Sequence, residues 1–417
     1  MKLFKLLFVA IIAFGMVACN NEDVPEIIDG PDASVSVKVF PSSKSPATRL
    51  AGDLTGDGVS TLGLAEESAI KNVEVWLFVG ETPDGYKKGE VGEAFVEGVP
   101  TTAGDKTMVV AANANIGEVA NKAELLEKFA ETLSQDLTNG LVMTSVPVDI
   151  ELIGGKNQYG YKTTDTDAAL SLYDADAEQI SAGVRLPITR INARIALVGL
   201  EYNFTSPFYD EFRLTEVALF NAREASNYFG TPLYKSNDFL YGSAYPSTLS
   251  TYVGSAGYTG TTYTAAADPN LAQVFTPNAE LAAPALVNAK NAHYFYAFEN
   301  SANTETDKEG TFIVLKGTLW NDGVQYKALG LETDADGYTY YAIWVNAVND
   351  MYTYDEEYAP DGTIKRNTQY NISVNLKKAG NPTIDPPVEA QLDVWVEVAP
   401  WIVVGQDVEW GTPPANP

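Results

Sequence analysis

The chain has 417 residues, 45% of them hydrophobic, with 55 acidic against 27 basic side chains and a net charge of −28. Such a balance excludes nucleic acid and anionic lipid surfaces as partners held by charge. A single cysteine excludes an intramolecular disulfide, and a single histidine leaves no histidine–cysteine set for a zinc site.

The chain opens with "MKLFKLLFVAIIAFGMVACNNED": Lys2 and Lys5, an apolar run from Leu6 to Val17, then Ala18 and the lone Cys19. The run is shorter than the roughly 20 residues of a spanning helix and reads as an export signal. Ala18-Cys19 directly behind it resembles a bacterial lipobox, in which the cysteine is lipidated. Residues 1–49 hold five basic and five acidic side chains, so the acidity belongs to the remainder, where it forms a solvated surface. An acidic spacer, "NNEDVPEIIDGPD", leads into "ASVSVKVF", which places Ala33, Val35, Val37 and Val39 on one face of a strand. Behind it, "PSSKSPATRLAGD" reads as an exposed, cleavable loop.

The roughly 370 residues after Arg49 predict two domains. Strands are predicted at 73–80, 107–114 and 147–153. The segment "GEVANKAELLEKFAETLSQ" predicts a helix with Leu126, Phe129, Ala130 and Leu133 on one face. Residues 154–184 read as polar loops, and the domain boundary is placed near residue 185. The second domain restarts at "RLPITRINARIALVGLEYNF" and continues through strands within 212–222, 292–300, 310–320, 338–348 and 369–378. Many short strands with few helices predict a mainly β protein built from β-sandwiches. Residues 231–283, rich in Tyr, Ser, Thr, Gly and Ala, read as long surface loops. The last periodic stretch, "LDVWVEVAPWIVVGQDVEW", alternates Leu392, Val394, Val396 and Val398 with polar or bulky neighbours, and Pro400 divides it.

Little in the chain suggests catalysis. His293 lies in a predicted strand without ligand partners. "GDLTGDG" has the opening spacing of a calcium loop at Asp53, Thr55, Asp57 and Gly58, but Leu64 stands where the closing carboxylate belongs, so the segment reads as a flexible loop. Asp336-Gly337 reads as a hairpin turn. Tyr241, Tyr245, Tyr252, Tyr258 and Tyr263 crowd the long loops as aromatic platforms do in sugar-binding proteins, or as ordinary surface tyrosines. No catalytic residue, metal site or cofactor is predicted.

Taken in order, "VEVWLFVG", "TMVVAANAN", "GLVMTSVPVDIELIGGKNQYGY", "LPITRINARIAL", "FNAREASNYFG", "YAIWVNAVNDMYTYDEEYAPDGTIKRNTQYNISVNL" and "APWIVVGQDVEW" resemble the fimbrillin family, the shaft subunits of type V pili. The resemblance implies two tandem transthyretin-like β-sandwich domains with one or few helices, at 50–185 and 186–391. It implies a signal peptide at 1–19 with lipidation at Cys19 in the outer membrane, and a propeptide at 20–49 cut between Arg49 and Leu50 by an arginine-specific protease. The propeptide strand would be that of Ala33, Val35, Val37 and Val39. The segment 392–417 would act as donor strand through Leu392, Val394, Val396, Val398, Trp401, Val403, Val408 and Trp410. Expected partners are identical subunits in a head-to-tail filament, accessory fimbrial subunits, and host or bacterial surface receptors. An accessory or tip subunit and a glycan-binding surface lipoprotein are the alternative readings.

Overall fold

In a computed structural model, the structure describes residues 30–41, 65–131, 133–162, 173–181, 183–229, 239–241, 263–265, 272–274, 285–287, 293–301, 310–348, 352–354, 358–384 and 392–400. The protein is mainly β, as its short alternating segments predict.

The first half contains β1 (Asp32–Pro41), β2 (Val73–Val79), β3 (Thr82–Lys88), β4 (Phe95–Thr102) and β5 (Gly104–Ala112). After the short helix α1 (Lys122–Leu126) come β6 (Phe129–Ala130), β7 (Met143–Thr144), β8 (Val148–Leu152), β9 (Gly155–Tyr159), β10 (Glu178–Gln179) and β11 (Leu186–Arg190). One layer holds β4, β1, β9 and β10; the other holds β3, β2, β5, β8, β7 and β11. The last residues of β1 cross to pair with β11, so that one strand belongs to both layers. Between them lies an apolar core that includes Val35, Val37, Val75, Leu77, Val110 and Ile188.

The second half opens with β12 (Asn192–Tyr202) and β13 (Glu211–Phe220). Short strands follow: β14 (Ala222–Arg223), β15 (Ser226–Asn227), β16 (Phe239–Tyr241), β17 (Tyr263–Ala265), β18 (Ala272–Val274) and β19 (Ala285–Val287). The set closes with β20 (His293–Phe298), β21 (Phe312–Asn321), β22 (Val324–Tyr326), β23 (Tyr338–Trp344), β24 (Tyr352–Tyr354), β25 (Thr368–Leu376) and β26 (Leu392–Pro400). A six-stranded sheet carrying β12, β25 and β26 faces a five-stranded sheet carrying β13, β21 and β23. Ile195, Ile372 and Val394 from the one meet Phe212, Leu315 and Ile343 from the other in a single core, which makes a sandwich.

Two expectations need correction. The predicted helix ends at Leu126: Asn121 caps its start by accepting from the Glu124 amide, but Phe129 and Ala130 leave the helical path to pair with Asn227 and Ser226. Ala130 and Leu133 then bury in the second core, so pairing with a distant strand overrides the local period. Leu186–Arg190, placed by the sequence reading in the second domain, pairs with β1 and β7 in the first; Leu186 and Ile188 point into that core. The change of core falls at Arg190-Ile191, because Ile191 already packs in the second.

A buried charge cluster ties the halves together at this junction. Glu67, in a 3-10 turn (Ala65–Ser68), lies 3.3 Å from Arg194 Nε and accepts a 2.7 Å hydrogen bond from the Tyr296 hydroxyl. Arg190 donates to the Glu67 carbonyl at 2.9 Å, to Ser68 Oγ at 2.7 Å and to Asn367 Oδ1 at 3.2 Å. Both arginines are fully buried, and the Arg194 guanidinium sits 4.6 Å from the Tyr294 ring centre. Burial pushes the Arg190 guanidinium down to about 10, against the upward pull of Glu67 and Tyr296, so it stays charged at neutral pH. Burial, then the Glu67 carboxylate, push the Tyr296 hydroxyl well up, which keeps it a proton donor.

Removing one member of such a cluster strands the others without water. Glu67→Ala is expected to cost about 3–5 kcal/mol, read as a lower urea midpoint, whereas exposed Glu90→Ala leaves the midpoint unchanged.

Candidate functional site, a strand slot and a terminal strand

The strand β1 comes from the segment ahead of Arg49, and it lies inside a sheet rather than at an edge. From Asp32 to Lys38 it runs antiparallel to β4 on one side, and from Ala33 to Val37 parallel to β9 on the other. Val39, Phe40 and Pro41 pair in parallel with Leu186, Pro187 and Ile188. Backbone bonds continue beyond the ladders: the Ala103 amide donates to the Pro31 carbonyl at 2.9 Å, and the Val39 amide to the Ala94 carbonyl at 3.0 Å.

The sequence-predicted inward residues Ala33, Val35, Val37 and Val39 all point into the core, and the valines are at most 2% exposed. At about 1.5–3 kcal/mol per fully buried valine, the three contribute roughly 4.5–9 kcal/mol before chain ordering is subtracted. Without β1, the inward faces of the neighbouring strands would surround an apolar slot with unpaired amides and carbonyls along both sides.

Side chains hold the walls of this slot. Asn157 of β9 accepts from the Ile153 amide at 3.0 Å and donates to the Ser34 carbonyl at 3.1 Å and the Ile153 carbonyl at 2.9 Å. A register shift between Val35 and Val37 accommodates Gly98, whose positive φ of 59° suits glycine and whose amide donates to Ser36 Oγ at 3.0 Å. On the far side of β4, Asp84 of β3 accepts from the Thr101 hydroxyl, from the Thr102 amide at 3.0 Å and from Lys106 Nζ at 3.1 Å. Burial alone would raise the Asp84 carboxyl, but hydrogen bonds from Thr101, Thr102 and Lys106 outweigh it and hold the group below its ordinary range. Thr101 and Thr102 are the register partners of Ala33 and Asp32, so this cluster anchors the wall at the start of β1.

The terminal strand β26 is seated in its own domain. All nine residues from Leu392 to Pro400 pair antiparallel with β25, from Leu376 back to Thr368, and Val394–Val396 also pair in parallel with Tyr352–Tyr354. Val394 and Val396 are buried in the second core. Leu392 and Val398 are the register partners of Leu376 and Tyr370.

Placed side by side without a gap, residues 33–41 (ASVSVKVFP) and 392–400 (LDVWVEVAP) share one pattern. Valines coincide at 35/394, 37/396 and 39/398, and prolines at 41/400. The polarities of the two strands also correspond. β1 is parallel to β11, which leads into the junction, so β1 starts at the outer end of the first half. β12 leads out of the junction, β25 runs parallel to it and β26 antiparallel, so β26 starts at the outer end of the second.

Sequence reading missed β9, assigned to loops because "GGKNQYGY" lacks an apolar alternation. The signal that finds it is the Asn157 amide, whose hydrogen bonds replace the missing period. Cys19, Arg49, Leu50, the acidic loop 53–64, Tyr245, Tyr252, Tyr258, Trp401, Val403, Val408 and Trp410 lie outside the described residues. Tyr241 and Tyr263 fall in the short strands β16 and β17. His293 opens β20 opposite Leu197. Asp334 organises the Asp336-Gly337 turn by accepting from the Asp336 and Tyr338 amides at 3.0 and 2.8 Å.

The fold and the two matched strands define a class of two-core, strand-built proteins that carry a sheet strand near each end of the chain. Comparison with known proteins supplies the family. The profile described as "Major fimbrial subunit protein (FimA)" matches residues 33–190, and that described as "FimA4 pilin C-terminal domain" matches residues 192–401. The chain belongs to the fimbrillin family of major fimbrial subunits. It is 27% identical to the major fimbrium subunit FimA type-2 and 29% identical to FimA type-4 of Porphyromonas gingivalis, covering 98% of this chain and 100% of each relative. A fimbrilin structure from Porphyromonas gingivalis W83 superposes with a TM-score of 0.67 at 26% identity, over 90% of this chain and 99% of that one. A cell adhesion protein described as putative, from Parabacteroides distasonis ATCC 8503, shares the fold with a TM-score of 0.61 at 19% identity, over 89% of this chain and all of that one.

Because the folded Asp84 binds its proton less readily than the unfolded residue, its contribution is complete above pH 3.8 and is lost as pH falls through the lower, folded value. Asp84→Asn is expected to flatten the acid limb of the stability curve, measured by circular dichroism from pH 5 to pH 2. A limb of unchanged steepness would remove Asp84 from the account.

Proposed function

We propose that the protein is a structural subunit of a cell-surface fimbrium that is exported as a lipoprotein through Cys19 and cleaved between Arg49 and Leu50. Cleavage releases the segment carrying β1. The terminal segment of a neighbouring subunit, from Leu392 onward, then takes the place of β1 and links subunits head to tail, supporting adhesion.

The observation that carries this reading is the match between the two strands. A replacement seated at 33–41 in the register of 392–400 puts Val394, Val396 and Val398 where Val35, Val37 and Val39 pack, without a change of volume at those positions. The strand polarities support it as well, since a segment leaving the outer end of one subunit enters the outer end of the next in the direction β1 already has. Main-chain ladders on both sides supply affinity, and the inward valines set the register. A contact between two different surfaces of one chain does not close on itself, so it propagates as a filament. Trp401, Val403, Val408 and Trp410 extend the donor beyond Pro400, and the protease and accessory subunits act before and during this step.

Two requirements follow: β1 must be cut away, and β26 must leave β25. Arg49→Ala is expected to keep the protein a lipidated monomer starting at Cys19, read by intact mass and N-terminal sequencing of surface-sheared material. Filaments built from unprocessed chains would refute the cleavage step. Ser373 and Trp395 are register partners on β25 and β26. The pair Ser373→Cys with Trp395→Cys is expected to hold processed monomers apart when oxidised and to let them polymerise on reduction. Polymerisation at equal rates in both states would refute exchange of β26.

A further inference from the structure

The outer end of the second half carries an exposed apolar patch that its own fold does not use. Phe208 is 64% exposed, Val324 71%, Leu329 72% and Leu331 79%. These side chains belong to one surface. The Phe208 ring stacks on Tyr326 at 6.2 Å, and the Tyr326 hydroxyl donates at 2.8 Å to Glu332, beside Leu331. Asn321 donates at 3.2 Å to the Pro207 carbonyl, which draws the β21–β22 turn, next to Val324, against the loop carrying Phe208. The turn holding Leu329 and Leu331 is internally bonded, with the Leu331 amide donating to the Ala328 carbonyl at 3.0 Å and the Gly330 amide to the Thr333 carbonyl at 2.9 Å. A contiguous apolar surface of this kind marks a contact site.

The position of the patch names its occupant. A run of rings leads from Phe208 through Tyr326, Tyr209 and Phe204 to Tyr202, which is the register partner of Leu376. Leu376 in turn pairs with Leu392, where β26 begins. Ile384 is buried against the second half, so eight residue steps separate that anchor from Leu392 and span at most about 28 Å when extended. The entrance of the slot that receives β26 therefore lies within about 28 Å of Ile384, and the patch adjoins the place from which β26 departs. Ile153, half exposed, stands at that entrance in the turn between β8 and β9, beside Gly154, where a Cβ would meet Pro31 at 3.4 Å.

Building on strand exchange as proposed above, we infer that Phe208, Val324, Leu329 and Leu331 form a second subunit contact, docking on the slot entrance of the next copy around Ile153. The contact adds an apolar cap to the strand joint and fixes the angle between successive subunits.

The test uses processed full-length protein carrying Phe208→Asp and Leu331→Asp together. These side chains are exposed, so the urea midpoint of the monomer is expected to match that of the parent. The concentration needed for filament formation, followed by light scattering and electron microscopy, is expected to rise at least tenfold. Binding of a synthetic peptide of residues 391–410 to the processed variant is expected to stay at the parental level. An unchanged filament threshold with peptide binding intact would overturn the patch contact while leaving strand exchange standing. Loss of peptide binding by the parent itself would instead overturn strand exchange and, with it, the inference. As a positional check, Phe208→Cys mixed with Ile153→Cys is expected to give disulfide-linked dimers in filaments; dimers no more abundant than with Val348→Cys in place of Phe208→Cys would also overturn the contact.

Discussion

Backbone amides and carbonyls cannot be left unpaired in an apolar interior, and in the first half of this protein that rule bears directly on β1. It has neighbours on both sides along most of its length, and its last three residues cross from one layer to the other. Among the described residues, the first core is closed by a segment that the chain contributes before any other strand. Whatever occupies that path must offer a period-two apolar face and an unbroken ladder. Residues 392–400 meet both conditions.

The walls of the slot are fixed by interactions that do not involve the inward valines. Asp84 and Lys106 tie β3 and β4 through Thr101 and Thr102, Asn157 locks the β8–β9 turn, and the Glu67 cluster fastens the turn Ala65–Ser68 to the second half. On the strand exchange proposed above, these polar anchors would let the slot keep its shape while its central strand changes. A wall held only by hydrophobic contact with β1 would collapse toward the gap, as poorly braced cavities do.

The fold was legible in the sequence wherever side chains alternate. β1, β2 and β26 are visible because valines and leucines recur every second residue, and β5 because it is a short apolar run. Where tertiary partners decide, reading fails: Phe129 and Ala130 obey a helical period in sequence but follow the pull of Ser226 and Asn227, and β9 is held by an asparagine and by backbone bonds. The change of core at Ile191 shows in sequence only as a one-residue slip of the apolar alternation, from Leu186 and Ile188 to Ile191, Ala193 and Ile195, because β11 and β12 differ in which core they face rather than in composition. The two end strands were each recognised, yet their common pattern emerges only when β1 is seen to be internal and β26 to lie along β25.

The direction of β1 has a mechanical meaning. It runs parallel to β9 and β11 and enters from the outer end of its half. A strand seated on that path and pulled from its entrance is loaded along its own axis, so that every rung of both ladders resists at once. Peeling, which would break one rung at a time, is the geometry this arrangement avoids. A joint of that kind is weak only to forces across the sheet, and under the strand exchange proposed above a chain of such joints drawn taut by flowing liquid would meet the load in its strongest direction.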